Sequence, residues 1–381
     1  MKIVYSLGSL GFSGGIERVI STKANYFADV FGYEVHIIVA GSEPETLFYT
    51  FSDKIQFHYL AIDFPTQKPW DYFLPNKTDK VYRQQLETKL LEIKADITIS
   101  PFGRDASFLY ELKDGSKKII EFHFSREYLS HLGNAMQDDK LHFLRKIWLH
   151  MLTQRNESIV RKYKHVVLLT ERDKDLWGKK KRFHVIPNPL SFSTEKKAEL
   201  KNKVIVGIGR LNEQKGFDLL MRAFQLIKGQ HPDWHVEIYG KGMESHEAYL
   251  LNLRKKLSLE DCVFFKTPTT DVMDILLNSS IFAFPSRYEG FGLVLTEAME
   301  CGVPCVAFDC DSGPAEIIEN DRTGYLVPTQ DIQLFAENLR WLMANDELRK
   351  QMGTAAKKSV ERFYPENIMP LWEKLFKEVT K

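Results

Sequence analysis

The sequence predicts an α/β protein made of two doubly wound domains in series, each with a parallel sheet covered by helices. Three observations support this fold class. The chain has 381 residues, more than the roughly 100–200 residues of a single domain. Apolar, β-branched segments alternate with amphipathic helical patterns, as they do in parallel sheets. A polar segment near the middle interrupts this alternation, which then starts again.

Seven segments of the first half have the composition of buried strands: 2–7, 34–40, 54–60, 96–100, 117–124, 165–170 and 184–188. Six more follow in the second half: 203–209, 235–240, 262–266, 281–286, 304–309 and 324–328. Between the two sets, residues 191–202 are rich in Lys and Glu and lack apolar periodicity, which predicts a linker. We therefore predict one domain over residues 1–190 and a second over residues 203–364.

Residues 365–381 carry a last helical pattern, which contains Pro370. A proline inside a helix removes a hydrogen bond, so Pro370 predicts a kink or a break. We expect this helix to cross back and pack on the first domain. Ligands of doubly wound sheets bind beyond the carboxyl ends of the strands, and two such domains can face each other across a cleft. The residues that follow the strands are therefore the candidate site residues.

Composition and charge exclude several classes of protein. With 44% hydrophobic residues, and 52 Lys and Arg against 51 Asp and Glu, the chain is neither disordered nor a dedicated nucleic-acid binder. No apolar stretch reaches the roughly 18 residues of a membrane span. The cysteines form no CxxC pair and predict reduced thiols in a cytoplasmic protein; they are Cys262, Cys301, Cys305 and Cys310.

Two loops that follow predicted strands carry glycines or cations. The first, GSLGFSGG, ends in Gly14 and Gly15 just before a helix that begins near Ile16. Free N–H groups at that helix start suit a phosphate, although a tight strand-to-helix turn explains the glycines equally well. In the second domain, Arg210 and Lys215 follow the first strand. They could bind a diphosphate together, or they could be solvated loop cations.

The segment 284–318 places two carboxylates around a helix start. Glu289 lies in a loop, the helix begins near Gly292, and Glu297 lies about five residues inside, or roughly 7–8 Å along the axis. Such an arrangement could hold a ligand with hydroxyls at both ends and an anionic centre on the helix N-terminus. A nucleotide sugar has that layout. The alternative is a helix-start carboxylate and one buried structural glutamate.

Four motifs of this sequence occur together in one known family. They are the E-x7-E spacing of Glu289 and Glu297, the pair of Arg210 and Lys215, the early Gly-Gly, and the C-G-x-P run at 301–304. Together they resemble the retaining glycosyltransferases of family 4, over nearly the whole chain. The resemblance implies the GT-B fold, in which two Rossmann-like domains face each other across a cleft that holds the active site.

The resemblance also implies roles for residues of the second domain. Its catalytic residues would be Arg210 and Lys215, which bind the donor diphosphate, and Glu289, which contacts the donor sugar. Glu297 would bond the ribose hydroxyls of the donor. Backbone groups near the sugar would come from Phe291, Gly292 and Leu293.

In the first domain, the resemblance places Gly14 and Gly15 close to the donor diphosphate. It places His123 near the reacting sugar, as a further catalytic residue. His123 lies at the end of the predicted strand 117–124. A histidine in that position can donate to a sugar hydroxyl, or it can be a satisfied half-buried residue.

The segment DCDSGPAE (309–316) differs from the commoner pattern of this family. It resembles the members that build bacterial surface polysaccharides from UDP-hexoses or UDP-N-acetylhexosamines. The segment YGKGME (239–244) stands where many members have a G-x-G-P turn. The DCD triplet also mimics the D-x-D metal motif of the other major glycosyltransferase fold, which has a single-domain architecture. We therefore predict no metal site and no cofactor besides the donor substrate.

Residues 140–164 contain seven Lys or Arg against one Glu, with apolar residues at helical spacing. These apolar residues are Leu141, Leu144, Trp148, Met151 and Leu152. A basic amphipathic helix of this kind can rest on an anionic membrane surface and present a lipid-linked acceptor. It can equally pack its apolar stripe on the first domain and expose a solvated basic face.

These features together predict a retaining, metal-independent hexosyltransferase of the cytoplasm, either free or peripheral on the membrane. It would move a sugar from a UDP-hexose or UDP-N-acetylhexosamine to a glycan or lipid-linked saccharide, in cell-surface polysaccharide synthesis. A UDP-sugar epimerase of the same fold and a non-catalytic nucleotide-sugar-binding protein are the alternatives. Acceptor recognition is expected in the loops 64–79 and 101–105, which carry no interpretable motif.

Overall fold

The computed structural model describes residues 1–11, 14–64, 77–128, 142–269 and 271–381. Contacts divide the chain into two compact units. The first unit contains residues 1–191 and 365–381, and the second contains residues 192–364. The helix that follows the second unit in the sequence is therefore part of the first unit.

The first unit is built on a seven-stranded parallel sheet with the strand order β3-β2-β1-β4-β5-β6-β7. Its strands are β1 (Lys2–Leu7), β2 (Glu34–Val39), β3 (Gln56–Tyr59), β4 (Ile97–Ser100), β5 (Lys117–Glu121), β6 (His165–Leu168) and β7 (Phe183–Val185). Every strand predicted in this half is present. The prediction that β5 reaches residue 124 is wrong, because the chain leaves the sheet after Phe122 N–H donates to Val167 O (2.8 Å). His123 therefore lies in the loop beyond the strand.

Helices of the first unit, besides the C-terminal one, are α1 (Gly15–Asp29), α2 (Lys77–Ile93), α3 (His142–Val160) and α4 (Glu171–Trp177). On α1, the residues Val19, Ile20, Ala24 and Phe27 recur at helical spacing and are all buried. On α2, the buried face consists of Tyr82, Leu86, Leu90 and Ile93. These apolar faces explain why both segments form helices that pack on the sheet, because burial of such a stripe is the main source of helix stability in proteins.

The C-terminal helix (Pro365–Val379) packs against α1. Its apolar side chains follow helical spacing and are buried: Ile368, Met369, Trp372, Leu375 and Phe376. The ring of Phe27 on α1 lies 5.2 Å from that of Phe376 and 6.5 Å from that of Trp372, between centroids. The predicted break at Pro370 does not occur. Pro370 is exposed, so the carbonyl group that loses its helical partner faces water, and the buried stripe continues on both sides of it.

The second unit contains a six-stranded parallel sheet with the order β10-β9-β8-β11-β12-β13. Its strands are β8 (Val204–Ile208), β9 (His235–Tyr239), β10 (Val263–Lys266), β11 (Ile281–Phe284), β12 (Cys305–Asp309) and β13 (Gly324–Pro328). Its helices are α5 (Phe217–Ile227), α6 (Glu244–Lys256), α7 (Val272–Leu277), α8 (Leu293–Glu300), α9 (Pro314–Ile317), α10 (Ile332–Ala344) and α11 (Asp346–Val360). All six strands predicted in this half are present.

The polar segment 192–202 contains no helix or strand. It is nevertheless packed, because Ala198 and Leu200 are buried and Ala198 N–H donates to Cys301 O (2.8 Å). The carbonyl oxygen of Leu200 also accepts from the buried Arg349 (3.2 Å). The composition that predicts a linker thus belongs to a segment that lies against the second unit.

The strand order of each sheet reverses beside its first strand. In the first unit the reversal lies between β1 and β4, and in the second it lies between β8 and β11. Ligands of doubly wound folds bind at such reversals, outside the carboxyl ends of the strands. The loops after β1 and β8 contain Gly14, Gly15, Arg210 and Lys215, and the loop after β11 contains Glu289. The topology therefore places these candidate residues at the edges where ligands bind.

Candidate active site

Lys215 and Glu289 form an ion pair at the carboxyl edge of the second sheet. The Nζ atom of Lys215 lies 2.6 Å from Oε1 of Glu289. The side chains keep 16% and 8% of their surface exposed, respectively. The ammonium also lies 5.6 Å from the centroid of the Phe284 ring. Lys215 is therefore not a solvated loop cation, and the pair leaves a small route to solvent or to a ligand.

Local geometry around Gly216 fixes the position of Lys215. A short 3₁₀ turn, Glu213–Lys215, begins where the side chain of Asn212 accepts from Lys215 N–H (3.2 Å). Gly216 then has a φ of +65°, and a Cβ atom there would lie 2.0 Å from the carbonyl oxygen of Pro285. Only glycine fits this position. The turn that carries Lys215 is thus pressed against the loop that carries Glu289.

Arg287 holds the same two loops together. Its guanidinium donates to both carboxylate oxygens of Asp218, at 2.8 Å each, and to the carbonyl oxygen of Glu213 at 2.7 Å. Its backbone N–H donates to Gln214 O (2.8 Å). Bidentate pairing of this kind fixes orientation as well as distance. Arg287 and Asp218 are not among the residues that the sequence predicts. They belong to none of the recognised motifs, and they lie 69 residues apart in the chain.

Arg210 lies beyond the end of β8 and is exposed. The prediction that the strand reaches residue 209 is wrong by one residue, since β8 ends at Ile208. Arg210 Nη2 has a long contact of 3.4 Å with Gln214 Oε1. The loop after β9 supports this segment, because Leu211 N–H donates to Lys241 O (3.0 Å). The divergent YGKGME segment therefore positions the backbone beside Arg210.

Helix α8 begins directly beside Glu289. Gly292 precedes the helix with a φ of +98°, and Leu293 is the first helical residue. Phe291 is buried, with its ring 5.5 Å from that of Phe363 in an edge-on arrangement. Only its backbone can therefore meet a ligand. Glu297 is the fifth residue of α8 and is 1% exposed.

The loop DCDSGPAE supports the Glu289 loop from behind. The hydroxyl of Ser312 donates to the carbonyl oxygen of Glu289 (2.7 Å). Gly313 has a φ of +96°, and a Cβ atom there would lie 2.0 Å from the carbonyl oxygen of Phe291. Because a larger residue would displace that carbonyl group, the segment contributes to the shape of the loop that holds Glu289.

In the first unit, Gly14 and Gly15 begin α1. Gly14 O accepts from Arg18 N–H (3.1 Å), and Gly14 has no positive φ. A Cβ atom at either glycine would meet no described atom within 4 Å. Neither packing among the described residues nor backbone conformation therefore requires glycine here. Gly14 has no side chain that could cap the start of α1.

His123 lies beside a buried ion pair. Its Nε2 atom is 3.4 Å from Oε1 of Glu121, and Glu121 pairs with Lys23 of α1. All three side chains are at most 3% exposed. Within the described residues, His123 Nε2 has no hydrogen-bond partner that meets ordinary geometry. Among the described residues, His123 is thus buried without a well-formed hydrogen bond at Nε2.

A cavity of about 330 Å³ lies in the first unit, between the loops that follow β4 and β5 and the helices α3 and α4. Aromatic rings form much of its wall; they are Phe102, Phe122, Phe124, Tyr128 and Trp177. Arg126 donates to Glu157 (2.5 Å) at this wall, and Arg104 lies 3.4 Å from Asp79. The predicted acceptor loop 101–105 thus lines a cavity with aromatic and charged groups. Most of the other predicted acceptor loop, residues 65–76, lies outside the described residues.

Helix α3 covers most of the basic segment 140–164. Leu152 is buried, whereas Ile147 and Met151 are 42% and 45% exposed. Trp148 is half-buried. The predicted apolar stripe therefore divides between a packed face and an outer face. Leu141 lies outside the described residues, as does the side chain of Leu144.

The part of the chain that the structure describes contains neither a cluster of metal ligands nor a helix that could span a membrane. There, no group of three or more His, Cys, Asp or Glu side chains is arranged to hold a metal ion. No helix in the same residues combines the length and the apolarity needed to cross a bilayer. The four cysteines are free.

Comparison with known proteins decides the family. A family described as "Glycosyl transferases group 1" matches residues 191–359. An uncharacterized glycosyltransferase of Haemophilus influenzae is 32% identical over 378 residues, which cover 98% of this chain and 99% of that protein. This chain belongs to the group 1 glycosyltransferases. Membership identifies it as an enzyme that transfers a sugar from a nucleotide sugar, and it disfavours the epimerase and the non-catalytic binding protein.

This group 1 glycosyltransferase is similar to another protein in sequence and to a solved structure in fold. The amylovoran biosynthesis glycosyltransferase AmsD of Erwinia amylovora is 35% identical over 218 residues, which cover 54% of this chain and 60% of AmsD. The pneumococcal O-GlcNAc transferase GtfA, solved with UDP and GlcNAc, superposes with a TM-score of 0.76 at 16% identity and 99% coverage of both chains. The two Rossmann-like sheets are those of the GT-B fold, as predicted.

Proposed function

We propose that this glycosyltransferase is a retaining, metal-independent hexosyltransferase. It moves a hexose or N-acetylhexosamine from UDP to a saccharide or lipid-linked saccharide of a bacterial surface polysaccharide. One observation carries the proposal: the ion pair of Lys215 with Glu289, partly open and next to the start of α8. A cation that can leave its carboxylate, beside a helix N-terminus, suits a diphosphate.

The donor would exchange the partners of this ion pair. When a diphosphate binds, the ammonium of Lys215 turns to a phosphate oxygen, and the exposed Arg210 adds a second cation. Glu289 is then released to accept a hydrogen bond from a hydroxyl of the donor sugar. The backbone of Phe291, Gly292 and Leu293 lies next to it, and Glu297 meets the ribose. Ligand binding thus separates two groups that neutralise each other in the free protein.

The reaction itself breaks the bond between the anomeric carbon and the diphosphate oxygen. Negative charge develops on the leaving UDP, where Lys215, Arg210 and the N-terminus of α8 stabilise it. The acceptor hydroxyl attacks the same face of the oxocarbenium-like sugar, which retains the anomeric configuration. A phosphate oxygen of the leaving group takes the hydroxyl proton, so that no protein nucleophile and no metal takes part.

Residues of the first unit would act on the other side of the reaction. As the family resemblance implies, Gly14 and Gly15 at the start of α1 would come close to the diphosphate, and His123 would come close to the reacting sugar. We assign the aromatic cavity to the acceptor saccharide. Its rings can stack on the apolar faces of sugars, and its arginines and carboxylates can bond hydroxyl groups.

Donor binding is tested by thermal shift with UDP and a panel of UDP-sugars, each with and without EDTA. We expect stabilisation that survives EDTA and that weakens in Lys215→Met and Glu297→Ala. The control is Lys201→Met, which removes another lysine of the second unit from an exposed pair with Glu199 (2.8 Å). A response that vanishes in EDTA would refute metal independence. No response to any UDP-sugar would refute the donor assignment.

Transfer is tested by UDP release with and without acceptor oligosaccharides. We expect release to depend on the acceptor, and we expect NMR of the product to show the anomeric configuration of the donor. Conversion of the donor into its epimeric UDP-sugar, without any release of UDP, would favour the epimerase instead. Inversion at the anomeric carbon would contradict the proposed mechanism while leaving the donor site intact.

We further propose that the enzyme works at the cytoplasmic face of the membrane. Ile147 and Met151 lie one turn apart on α3 and are exposed, next to Lys146 on a basic helix. Such a surface can bind anionic lipids. Flotation with vesicles that contain phosphatidylglycerol should carry the protein upwards, and Ile147→Ser with Met151→Ser should abolish this. Failure to float would refute the association.

A further inference from the structure

The ion pair of Lys23 with Glu121 is buried in the first unit. Lys23 lies on α1, and Glu121 is the last residue of β5. Their side chains are 0% and 1% exposed. Trp372 of the C-terminal helix covers the ammonium, with its ring centroid 4.6 Å from Nζ, and the ring of Tyr5 lies at 5.7 Å. No other charged residue of α1 is buried in this way.

Stability does not explain this pair. Two charges lose their hydration when they are buried, and their mutual attraction often does not repay that cost. Lys23 also lies on the apolar stripe of α1, one turn from Val19 and one turn from Phe27. An apolar residue would continue the stripe at that position. A buried ion pair in such a place calls for a role beyond packing.

The contacts of Glu121 indicate that role. Its Oε1 atom receives Lys23 on one side and lies 3.4 Å from Nε2 of His123 on the other. Within the described residues, Oε2 of Glu121 and Nε2 of His123 have no hydrogen-bond partner. Buried polar atoms are normally paired, and the approach of Oε1 to within 3.4 Å of Nε2 makes the Glu121 carboxylate a partner for the His123 ring.

We propose that Glu121, held in place by Lys23, is a positioning residue for His123. The carboxylate attracts the Nε2–H proton, so that the ring has a fixed orientation and, whenever it is neutral, carries its lone pair on Nδ1. Lys23 acts on His123 only indirectly, by holding the Glu121 carboxylate, and Trp372 excludes water from the pair. The proposal rests on the proposed role of His123 beside the reacting sugar.

Electrostatics agree with this arrangement. Burial alone would raise the pKa of Glu121, but the attraction of Lys23, together with hydrogen bonding from Lys23 and His123, outweighs it and lowers the pKa to about 2. Burial lowers the pKa of Lys23, and Glu121 opposes that effect. Tyr5 of β1 faces the pair, and burial together with Glu121 raises its pKa well above the usual range. Glu121 is therefore a carboxylate at the pH of the cell, which the proposed hydrogen bond requires.

The test reads the ring nitrogens of His123 directly. Long-range ¹H–¹⁵N spectra distinguish the two neutral tautomers of histidine, and loss of a signal in His123→Gln assigns it. Spectra are recorded at pH 8 for the wild type, Glu121→Gln, Lys23→Met and the double variant. We expect the Nε2–H tautomer alone in the wild type, and a mixture of tautomers in Glu121→Gln and in the double variant.

The double variant keeps the test independent of folding. Glu121→Gln leaves the Lys23 charge buried without its partner and can unfold the protein, whereas Lys23→Met with Glu121→Gln removes both charges and should fold like the wild type. We expect its kcat to fall by about tenfold or more, with little change in the donor KM. A folded double variant with an unchanged tautomer and unchanged kcat would overturn the proposal.

The same measurements separate this inference from the proposed function. If the tautomer changes as expected but His123→Gln leaves transfer unaffected, the positioning holds and the catalytic role of His123 fails. If His123→Gln abolishes transfer while the tautomer is the same in all variants, the role of His123 holds and Glu121 does not position it.

Discussion

The two units each contain a lysine–glutamate pair, and the pairs differ in their access to solvent. Lys23 and Glu121 of the first unit are 0% and 1% exposed, whereas Lys215 and Glu289 of the second are 16% and 8% exposed. The first pair is covered by the ring of Trp372. Beside the second pair, the ring of Phe284 lies 5.6 Å from the ammonium.

This difference separates two uses of the same chemistry. A buried pair has no other partner to exchange with, so it can only hold a neighbouring group in place. In a partly open pair the cation can move to a ligand, because its hydrogen bond to a phosphate replaces the one that it made to the carboxylate. Substitutions should therefore damage folding at the first pair and catalysis at the second.

The largest effect is expected from Lys23→Met, which leaves Glu121 buried without its cation. The free energy of unfolding should fall by about 3–5 kcal/mol. Urea denaturation measures it, and the double variant with Glu121→Gln should recover most of the loss. If Lys23→Met alone were neutral, the pair would be more hydrated than its burial indicates, and the contrast between the two units would disappear.

Lys215→Met should mainly reduce activity. Loss of its cation from the leaving diphosphate should lower kcat/KM by about 10²–10³-fold, or about 3–4 kcal/mol. The free energy of unfolding should fall by only about 1–2 kcal/mol. Steady-state kinetics with urea denaturation measure both quantities, and Lys201→Met is the matched control. A Lys215→Met variant that keeps its activity but loses its stability would show that the Lys215–Glu289 pair serves folding and not catalysis.

Acid should affect the buried pair selectively. The pKa of Glu121, about 2 in the folded protein, lies below the ordinary value of 4.5, so the unfolded chain binds the proton first as the pH falls. The stability that the pair contributes is therefore present above about pH 4.5 and is lost towards pH 2. Over that window the wild type should lose about 3 kcal/mol more than Lys23→Met with Glu121→Gln. Equal acid sensitivity would show that the pair is not coupled to folding.

The smallest effect is expected from Arg287→Lys, which tests how the partly open pair of the second unit is held in place. Lysine cannot make the bidentate bonds to Asp218, so the turn that carries Lys215 should loosen. The donor KM should rise about threefold to tenfold, or about 1 kcal/mol, with little change in kcat. Arg322→Lys, at an exposed pair with Glu319, is the control. A lower kcat with an unchanged KM would argue against a role in donor positioning.

Much of the fold could be predicted from the sequence, because strands and helices of buried sheets leave local apolar patterns. All thirteen strands follow such patterns. Lys215 and Glu289 could also be predicted, since both follow strands that meet at the reversal of strand order. The residue at which a strand ends is harder to predict, because it depends on the last backbone hydrogen bond to the neighbouring strand. His123 is the example: the apolar pattern continues to residue 124, but the last such bond is made by Phe122.

The supporting contacts could not be predicted in the same way. Lys23 and Glu121 are 98 residues apart, and Arg287 and Asp218 are 69 apart. No periodicity connects such partners. A charged residue on a helix normally faces water, which hides the role of Lys23. Its position on the apolar stripe of α1 was the one local signal that could have revealed it.

The place of the C-terminal helix has a consequence for synthesis of the chain. That helix completes the first unit, yet residues 365–381 leave the ribosome after all of the second unit. Until then, Phe27 and the buried charge of Lys23 lack the rings that cover them. The unit that is translated first is therefore completed last, after the second unit already has every residue of its own core. Nascent chains must carry this unfinished surface through most of translation, where chaperones and proteases meet it.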